Sequence, residues 1–433
     1  MTEARRYRFT VVRRHGQRLT RARAFEVLRV RNYRLYFLSQ LVSISGTSMQ
    51  MIGQAWLILE LHGNGLDLGA VSAAQFLPLL VLGPYGGLLT DRRDKKRLVT
   101  LTQSLAAALA LTLAVLTATG DVRMWMVFVL AFMLGCVSAA DNPARQVLVL
   151  DMVPVELVTN AVSLNEVIMN ASRVFGPALG AVVIVRFGVA VCFFVNAASY
   201  AFPITALAMI RTADTHRSAL SSAAPGQLRE GVAYVWSRPL LRSLLLMVAA
   251  LAMVFNFGVS LPLLAKNVLH AGAAGYGSMV AAFGVGAIAG AFLAASDRHP
   301  DGHRVRLLAF LTGGAVIVAA VMPTLDLELA LMAITGAFSI WCVSLANAVL
   351  QLRTGRSMRG RAMGLWSVAL PGTLVITGPL VGWIAQAVGP REALGFGGVG
   401  VVVTTAVGWR ALAADIRPAD SRAAVVSCES AGS

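Results

Sequence analysis

The sequence predicts an all-α membrane protein of twelve transmembrane helices in two pseudo-symmetric six-helix bundles, and three observations lead there. Apolar residues come in long repeated blocks, basic residues gather in alternate loops, and the second half of the chain echoes the first. Of 433 residues, 57% are hydrophobic and 13% charged, more apolar surface than a soluble domain can hide. Crossing ~30 Å of hydrocarbon takes about 20 apolar residues per helix, and only helices or closed barrels satisfy the backbone there. Barrel strands would alternate over about ten residues; these blocks have helix length.

The spans fall at 35–60, 66–89, 98–119, 124–145, 159–185, 190–210, 243–266, 274–296, 305–324, 328–350, 363–388 and 392–414. Gly and Pro recur inside them, as membrane helices tolerate. The chain thus divides into a basic tail (1–34), a first bundle (35–210), a linker (211–242), a second bundle (243–414) and a C-terminal tail (415–433). Within the polar, basic linker, Gln227 to Trp236 is expected as a surface helix.

The net charge of +16 invites thought of nucleic acid, but its distribution argues for a membrane. With the N-terminus inside, 32 of the 37 Lys and Arg lie in the tails and even-numbered loops, one of them in the loop between helices 4 and 5. Four lie outside, namely Arg123, Arg186, Lys266 and Arg391, and Arg173 lies within a span. This positive-inside pattern places both termini in the cytoplasm of a multi-pass plasma (inner) membrane protein. Arg5-Arg6 is not read as an export signal, because more arginines follow where an apolar core should be. Cys136, Cys192 and Cys342 fall in predicted helices and Cys428 in the tail, with no disulfide or metal spacing.

The repeat carries the two-bundle reading. Cys136-Val137-Ser138-Ala139-Ala140 of helix 4 matches Cys342-Val343-Ser344-Leu345-Ala346 of helix 10 at an offset of 206. Gln146 meets Gln351, Asp91-Arg92 meets Asp297-Arg298, and Gly176-Pro177-x-x-Gly180 meets Gly378-Pro379-x-x-Gly382. Matches at nearly constant offset in corresponding helices indicate a duplicated six-helix unit, a transporter signature.

Between helices 2 and 3 runs Gly87-Leu88-Leu89-Thr90-Asp91-Arg92-Arg93-Asp94-Lys95-Lys96-Arg97. Gly87 permits close helix approach, Asp91 can accept hydrogen bonds at a facing helix N-terminus, and Arg92, Lys95 and Lys96 can meet carboxylates or lipid phosphate. Asp141, placed near the inner end of helix 4, is the expected partner of Arg92 or Lys95 in a gate latch; an interfacial carboxylate in water is the alternative. The segment resembles the signature loop of the major facilitator superfamily, with Asp94 where that family usually has Gly. Further strings resemble the enterobactin-exporter and macrolide-efflux branch: Arg31-Asn32-Tyr33-Arg34-Leu35-Tyr36, Pro143-Ala144-Arg145-Gln146, Asn160-Ala161-Val162-Ser163-Leu164-Asn165 and Arg359-Gly360-Arg361. The resemblance implies the major facilitator fold and export.

Helix 5 carries Ser163, Glu166, Asn170, Arg173 and Pro177 at three- and four-residue steps, hence on one face. Ionisable groups at that depth cost about 2.5–3.5 kcal/mol or more, so they face a cavity or a partner. Glu166 is the candidate proton-coupling carboxylate, with Asn170 and Arg173 beside it; a structural polar cluster is the alternative. Gly176-Pro177-x-x-Gly180 resembles the tail of the family's helix 5 antiporter motif, but Ser163 and Ser172 stand where that motif has glycine. It and its counterpart Gly378-Pro379-x-x-Gly382 then serve helix packing.

Gln40, Ser43, Thr47, Gln50 and Gln54 form one stripe on helix 1, and Asn256 sits between Phe255 and Phe257 on helix 7. These neutral groups beside aromatics suit a cavity for an amphipathic organic molecule, or else interhelical hydrogen bonds. The leading expectation is a secondary exporter of a siderophore, antibiotic or related metabolite, driven by proton antiport. An importer or lipid-handling carrier on the same scaffold, or a membrane sensor, is the alternative. No nucleotide-binding loop is present, so ATP hydrolysis is not expected; nor, from the charge distribution and the cysteine spacing, are nucleic acid and metal, and no cofactor is expected. The partners are the small-molecule substrate and the lipid bilayer, the chain is expected to be a monomer, and no enzymatic activity is expected.

Overall fold

The computed structural model describes residues 26–210, 227–297, 300–355 and 358–413. The basic tail up to residue 25, linker residues 211–226, Arg298 and the tail from 414, with Cys428, lie outside the described residues.

The first bundle holds α1 (Arg31–Glu60), α2 (Gly65–Arg92), α3 (Lys95–Thr119), α4 (Met124–Asp151), α5 (Val158–Phe187), α6 (Val189–Ser199) and α7 (Ala201–Met209). The linker contributes α8 (Gln227–Trp236). The second bundle holds α9 (Pro239–Val254), α10 (Phe257–Leu263), α11 (Gly272–Ser296), α12 (Gly302–Ala319), α13 (Leu325–Arg353), α14 (Arg359–Ala387), α15 (Pro390–Val407) and α16 (Trp409–Ala413). Among the described residues, nine helices are long and apolar enough to cross a membrane.

Local chemistry sets the helix boundaries. Asn64 and Asp67 form a reciprocal capping box at the start of α2. Asp94 caps α3 by accepting the Arg97 N–H at 2.8 Å, and Asp301 caps α12 by accepting the Arg304 N–H at 2.7 Å. These two caps stand at equivalent places in the two bundles. At Asp94 the backbone has φ −63°, so the glycine usual in the resembling family is not required, and the carboxylate does useful work as a cap. His62 at φ 60°, two residues past α1, and His270 at φ 49°, two residues past the helical segment Leu264–Val268 that continues α10, both take left-handed backbone.

Two predicted spans are interrupted. Pro203 lacks the N–H that would continue the ladder at Ser199, which separates α6 from α7. The seventh span breaks at Phe255–Asn256, where Asn256 turns to φ −80° and ψ 47°; Asn256 and Gly258 are both poor helix formers. A boundary also moves, because α4 continues past residue 145 to Asp151. Arg145, tallied above with the loop between helices 4 and 5, is therefore a helical residue.

The bundles meet along α2 with α14 and along α5 with α11. The first contact is a glycine seam. A Cβ on Gly65 or Gly69 would overlap the carbonyl of Gly382 or Gly378, and the reverse substitutions collide with Gly65 and Gly69. Helix backbones in touch need small residues at the crossing, which both G-x-x-x-G stretches supply. On the other pair, Gly277 of α11 lies against Ala181 and the Pro177 carbonyl of α5. Lys266, just past α10, adds a bond across the same end by donating to the Leu59 carbonyl at 2.8 Å. Farther along α2, Leu80 still lies against Gly372 of α14, while a Cβ on Gly83 or Gly87 would meet nothing within 4 Å among the described residues.

Candidate functional site

The predicted latch region sits wholly on the first bundle in this conformation. Lys95 pairs with Asp151 at 3.6 Å and Lys96 donates to the Ile210 carbonyl at 2.9 Å, tying the start of α3 to the ends of α4 and α7. Arg92 is exposed, and the Asp91 side chain lies outside the described residues. Two expectations change here. Gly87 makes no close helix approach; its neighbour Gly86 does, against the Ala139 carbonyl of α4. Asp141 pairs with neither Arg92 nor Lys95.

Asp141 instead anchors a buried polar network. Because α4 runs on to Asp151, Asp141 stands ten residues from the helix end, about 15 Å by helical rise. The Arg145 Nε lies 2.8 Å from its carboxylate, Thr102 donates to it at 2.6 Å, and Gln103 donates to both oxygens at 3.1 and 3.0 Å. The Arg145 guanidinium also donates to Gln40 at 3.1 Å and to Asn142 at 3.0 Å. A charge at such depth persists only when paired and hydrogen-bonded, and both conditions hold. The sequence signal was Asp141 and Arg145 one helical turn apart; placing the helix end at 145 concealed their depth.

The polar stripe of α1 divides between two roles. Gln40 joins the Asp141 network, Thr47 lies 3.3 Å from the Tyr200 hydroxyl, and Gln50 accepts from Asn196 at 2.6 Å. These three bond inside the first bundle, the interhelical role that the sequence left open beside cavity lining. Gln54, at the far end of the stripe from Gln40, lines the space between bundles.

That space is a cavity of about 110 Å³ beneath the glycine seam. Gln54 and Ile58 line it from α1, Gln75 and Phe76 from α2, Phe255 and Asn256 from the break between α9 and α10, and Leu374 from α14. Both halves of the chain therefore wall it. Gln54 and Asn256 are among the lining residues; Gln75 escaped notice because α2 was read only for its terminal loop. No charged side chain lines the cavity among the described residues. Phe255, Phe257 and Phe283 form an aromatic cluster behind it, with Phe257 and Phe283 centroids 4.5 Å apart. Asn256 is 4% exposed and its Nδ2 has no hydrogen-bond partner.

On α5, the side chains of Glu166, Asn170 and Arg173 lie outside the described residues. Their helix is described: Gly176 packs on Ser45 and Ser48 of α1, and Gly180 on Met49. Gly378 and Gly382, the matching residues of α14, face α2 across the bundle boundary. The two glycines of the motif thus pack within a bundle in one copy and between bundles in the other. In the second bundle, the structure also reveals buried Glu328 at the start of α13, 1% exposed.

Comparison with known proteins supplies the remaining context. A family model described as transmembrane secretion effector matches residues 22–428. The multidrug efflux pump Tap of Mycolicibacterium fortuitum is 27% identical over 368 residues, 80% of this chain and 88% of that protein. The MFS-type transporter YfiS of Bacillus subtilis is 29% identical over 229 residues, 51% of this chain, and the match spans about half, 53%, of its length. The staphyloferrin A transporter of Staphylococcus aureus is 29% identical over 166 residues, 38% of this chain and 42% of that protein. In fold, the chain superposes on a bacterial homolog of the human lysosomal transporter Spinster, solved in an inward-facing and occupied conformation. The TM-score is 0.68 at 13% identity, over 88% of this chain and 96% of that one.

Proposed function

Because the chain belongs to the transmembrane secretion effector family of major facilitator transporters, we propose that it exports a small amphipathic organic molecule by proton antiport and alternating access. The observation that carries this reading is the cavity walled by both bundles beside the glycine seam, with no charged side chain among its described lining residues. In this reading the chain crosses the plasma membrane twelve times as a monomer, with both termini cytoplasmic. The end that bears Lys95 and Lys96 then faces the cytoplasm by the positive-inside rule, and the cargo loads from that side.

Export requires the outer seam to part while the inner ends close, so that the cavity is reached from one side at a time. The latch loop with Asp91, Arg92, Lys95 and Lys96 would then find partners on the second bundle. Glu166 is the proposed proton carrier, eight residues into α5, roughly 12 Å deep. A proton arriving from outside would return the emptied carrier to this state. The Asp141–Arg145 pair, with its carboxylate oxygens already occupied, positions α1, α3 and α4 rather than exchanging protons. A siderophore, antibiotic or related metabolite fits the cavity's chemistry, and the efflux pumps and siderophore transporter among the relatives support that range.

The test is reconstitution in liposomes with an imposed proton gradient, loading the metabolite that cells lacking the gene retain. Efflux that collapses with the gradient supports the proposal. Gradient-independent movement, or uptake in the opposite sense, refutes it.

A further inference from the structure

Cations are scarce at the outer ends of the helices: in the topology that the charges indicate, four of the 37 Lys and Arg lie there. One of the four crosses between the bundles. The Lys266 Nζ, from the segment that continues α10, donates to the Leu59 carbonyl of α1 at 2.8 Å.

The acceptor is open for a reason. The last turn of a helix leaves carbonyls without intrahelical donors. At the end of α1 the Leu57 carbonyl accepts from the Leu61 N–H at 2.9 Å and the Ile58 carbonyl from the Gly63 N–H at 2.8 Å. His62, in left-handed backbone, turns the chain away, and Leu59 takes its donor from the other bundle. An ammonium placed there also meets the negative end of the helix dipole. The donor is set by an unusual turn of its own, because Lys266 lies in the π-helical segment Leu264–Val268, where the Leu269 N–H bonds to the Leu264 carbonyl at 2.9 Å. Such widened turns are rare and gather at functional positions.

The duplication explains the charges. At the 206-residue offset of the two cysteine strings, Lys266 is the counterpart of Glu60. The ends of the first helix of each half therefore meet, and equivalent residues of like charge would repel there. One copy is instead acidic and the other basic, and the Glu60 carboxylate feels the Lys266 charge. The pair stands beside the glycine seam, since a Cβ on Gly65 would come 3.3 Å from the Leu263 side chain.

We propose that Lys266 is the latch of the outer gate, holding the second bundle on the C-terminus of α1 through the Leu59 carbonyl, with Glu60 drawing it there. The proposal rests on the alternating-access reading above: outward opening must pull the ammonium off the carbonyl and into water. The seam lets the helices touch, and the latch sets how readily they part.

The test uses full-length protein in nanodiscs, its four cysteines replaced by alanine, with spin labels on Asp121→Cys and Asp326→Cys. Both positions are exposed, one at the outer end of each bundle, and double electron–electron resonance reads the distance between them. Lys266→Met keeps the apolar stem and loses the donor. It should raise the ratio of long to short outer distances about tenfold, the worth of a hydrogen bond to a charged group. Lys266→Arg, which keeps a cationic donor, should hold most of the closed population. Gly69→Val, which wedges the seam, is the positive control. Melting temperature confirms folding, and Lys266→Gln, with the same expected rise, replaces any Lys266→Met protein that does not fold. An unchanged distribution in the folded variant beside an opened Gly69→Val would overturn the latch and leave alternating access standing. So would a Lys266→Arg protein as open as Lys266→Met. A single distance in every variant would overturn both the latch and alternating access. Opening by Lys266→Met in protein that moves nothing across liposomes would refute the export reading and leave the latch standing.

Discussion

Gly69 of α2 and Gly378 of α14 approach so closely that a Cβ on either would collide with the carbonyl of the other. This crossing joins the two halves of the chain directly above the cavity. It cannot accommodate bulk and stay closed, so on the export reading Gly69→Val should part the seam and shift the carrier toward an outward-open form. A cysteine placed at Gln54 should then react several-fold faster with an impermeant thiol reagent added outside. Unchanged reactivity would mean that the seam does not seal the cavity.

Asp141 holds Arg145, Thr102 and Gln103 together inside the first bundle. Removing the carboxylate leaves a part-buried guanidinium without its counter-charge, a loss of up to about 3–5 kcal/mol. Asp141→Ala should therefore lower the melting temperature sharply in detergent, and the double change Asp141→Leu with Arg145→Met should recover much of it. A stable Asp141→Ala protein with lost proton coupling would instead make Asp141 the carrier.

Asp94 contributes through its cap and not through the gate. Asp94→Ala should cost about 1 kcal/mol of stability, Asp94→Asn a small fraction of that, and neither should change the rate of transport per folded molecule. Thermal unfolding followed by fluorescence, together with liposome efflux, separates the two effects.

Glu166→Gln should leave the protein folded and its binding of cargo intact while abolishing proton-driven accumulation. Counterflow exchange, which needs no proton, should persist in this variant. Full proton-driven transport by the purified variant would remove Glu166 from the coupling step.

How far the sequence could be read depended on where information is local. Hydrophobic blocks, alternate-loop arginines and the Gly176 and Gly378 motifs are patterns along the chain, and they yielded the helices and the paired halves. The cap at Asp94 was visible as a departure from a family pattern, although its use needed the backbone angle. Partner choice was not legible. Asp141 chose Arg145 over Lys95 because α4 extends six residues beyond the apolar block, to Asp151, and hydrophobicity does not mark that extension. Gln40 and Gln54 share one stripe of α1 yet meet different environments, since one faces α4 and the other the second bundle. A stripe reports a face and not what covers it. Gly65 and Gly69 were overlooked for the same reason, because their significance lies in α14, some three hundred residues away.

The central claim, export by this chain, is met most directly by comparing the metabolites inside and outside cells that carry the gene, lack it, or carry only Glu166→Gln. Cells lacking the chain should retain an amphipathic compound that the wild type secretes, and Glu166→Gln should fail to restore secretion. Identical profiles in all three strains, or a compound that the deletion strain can no longer take up, would contradict it.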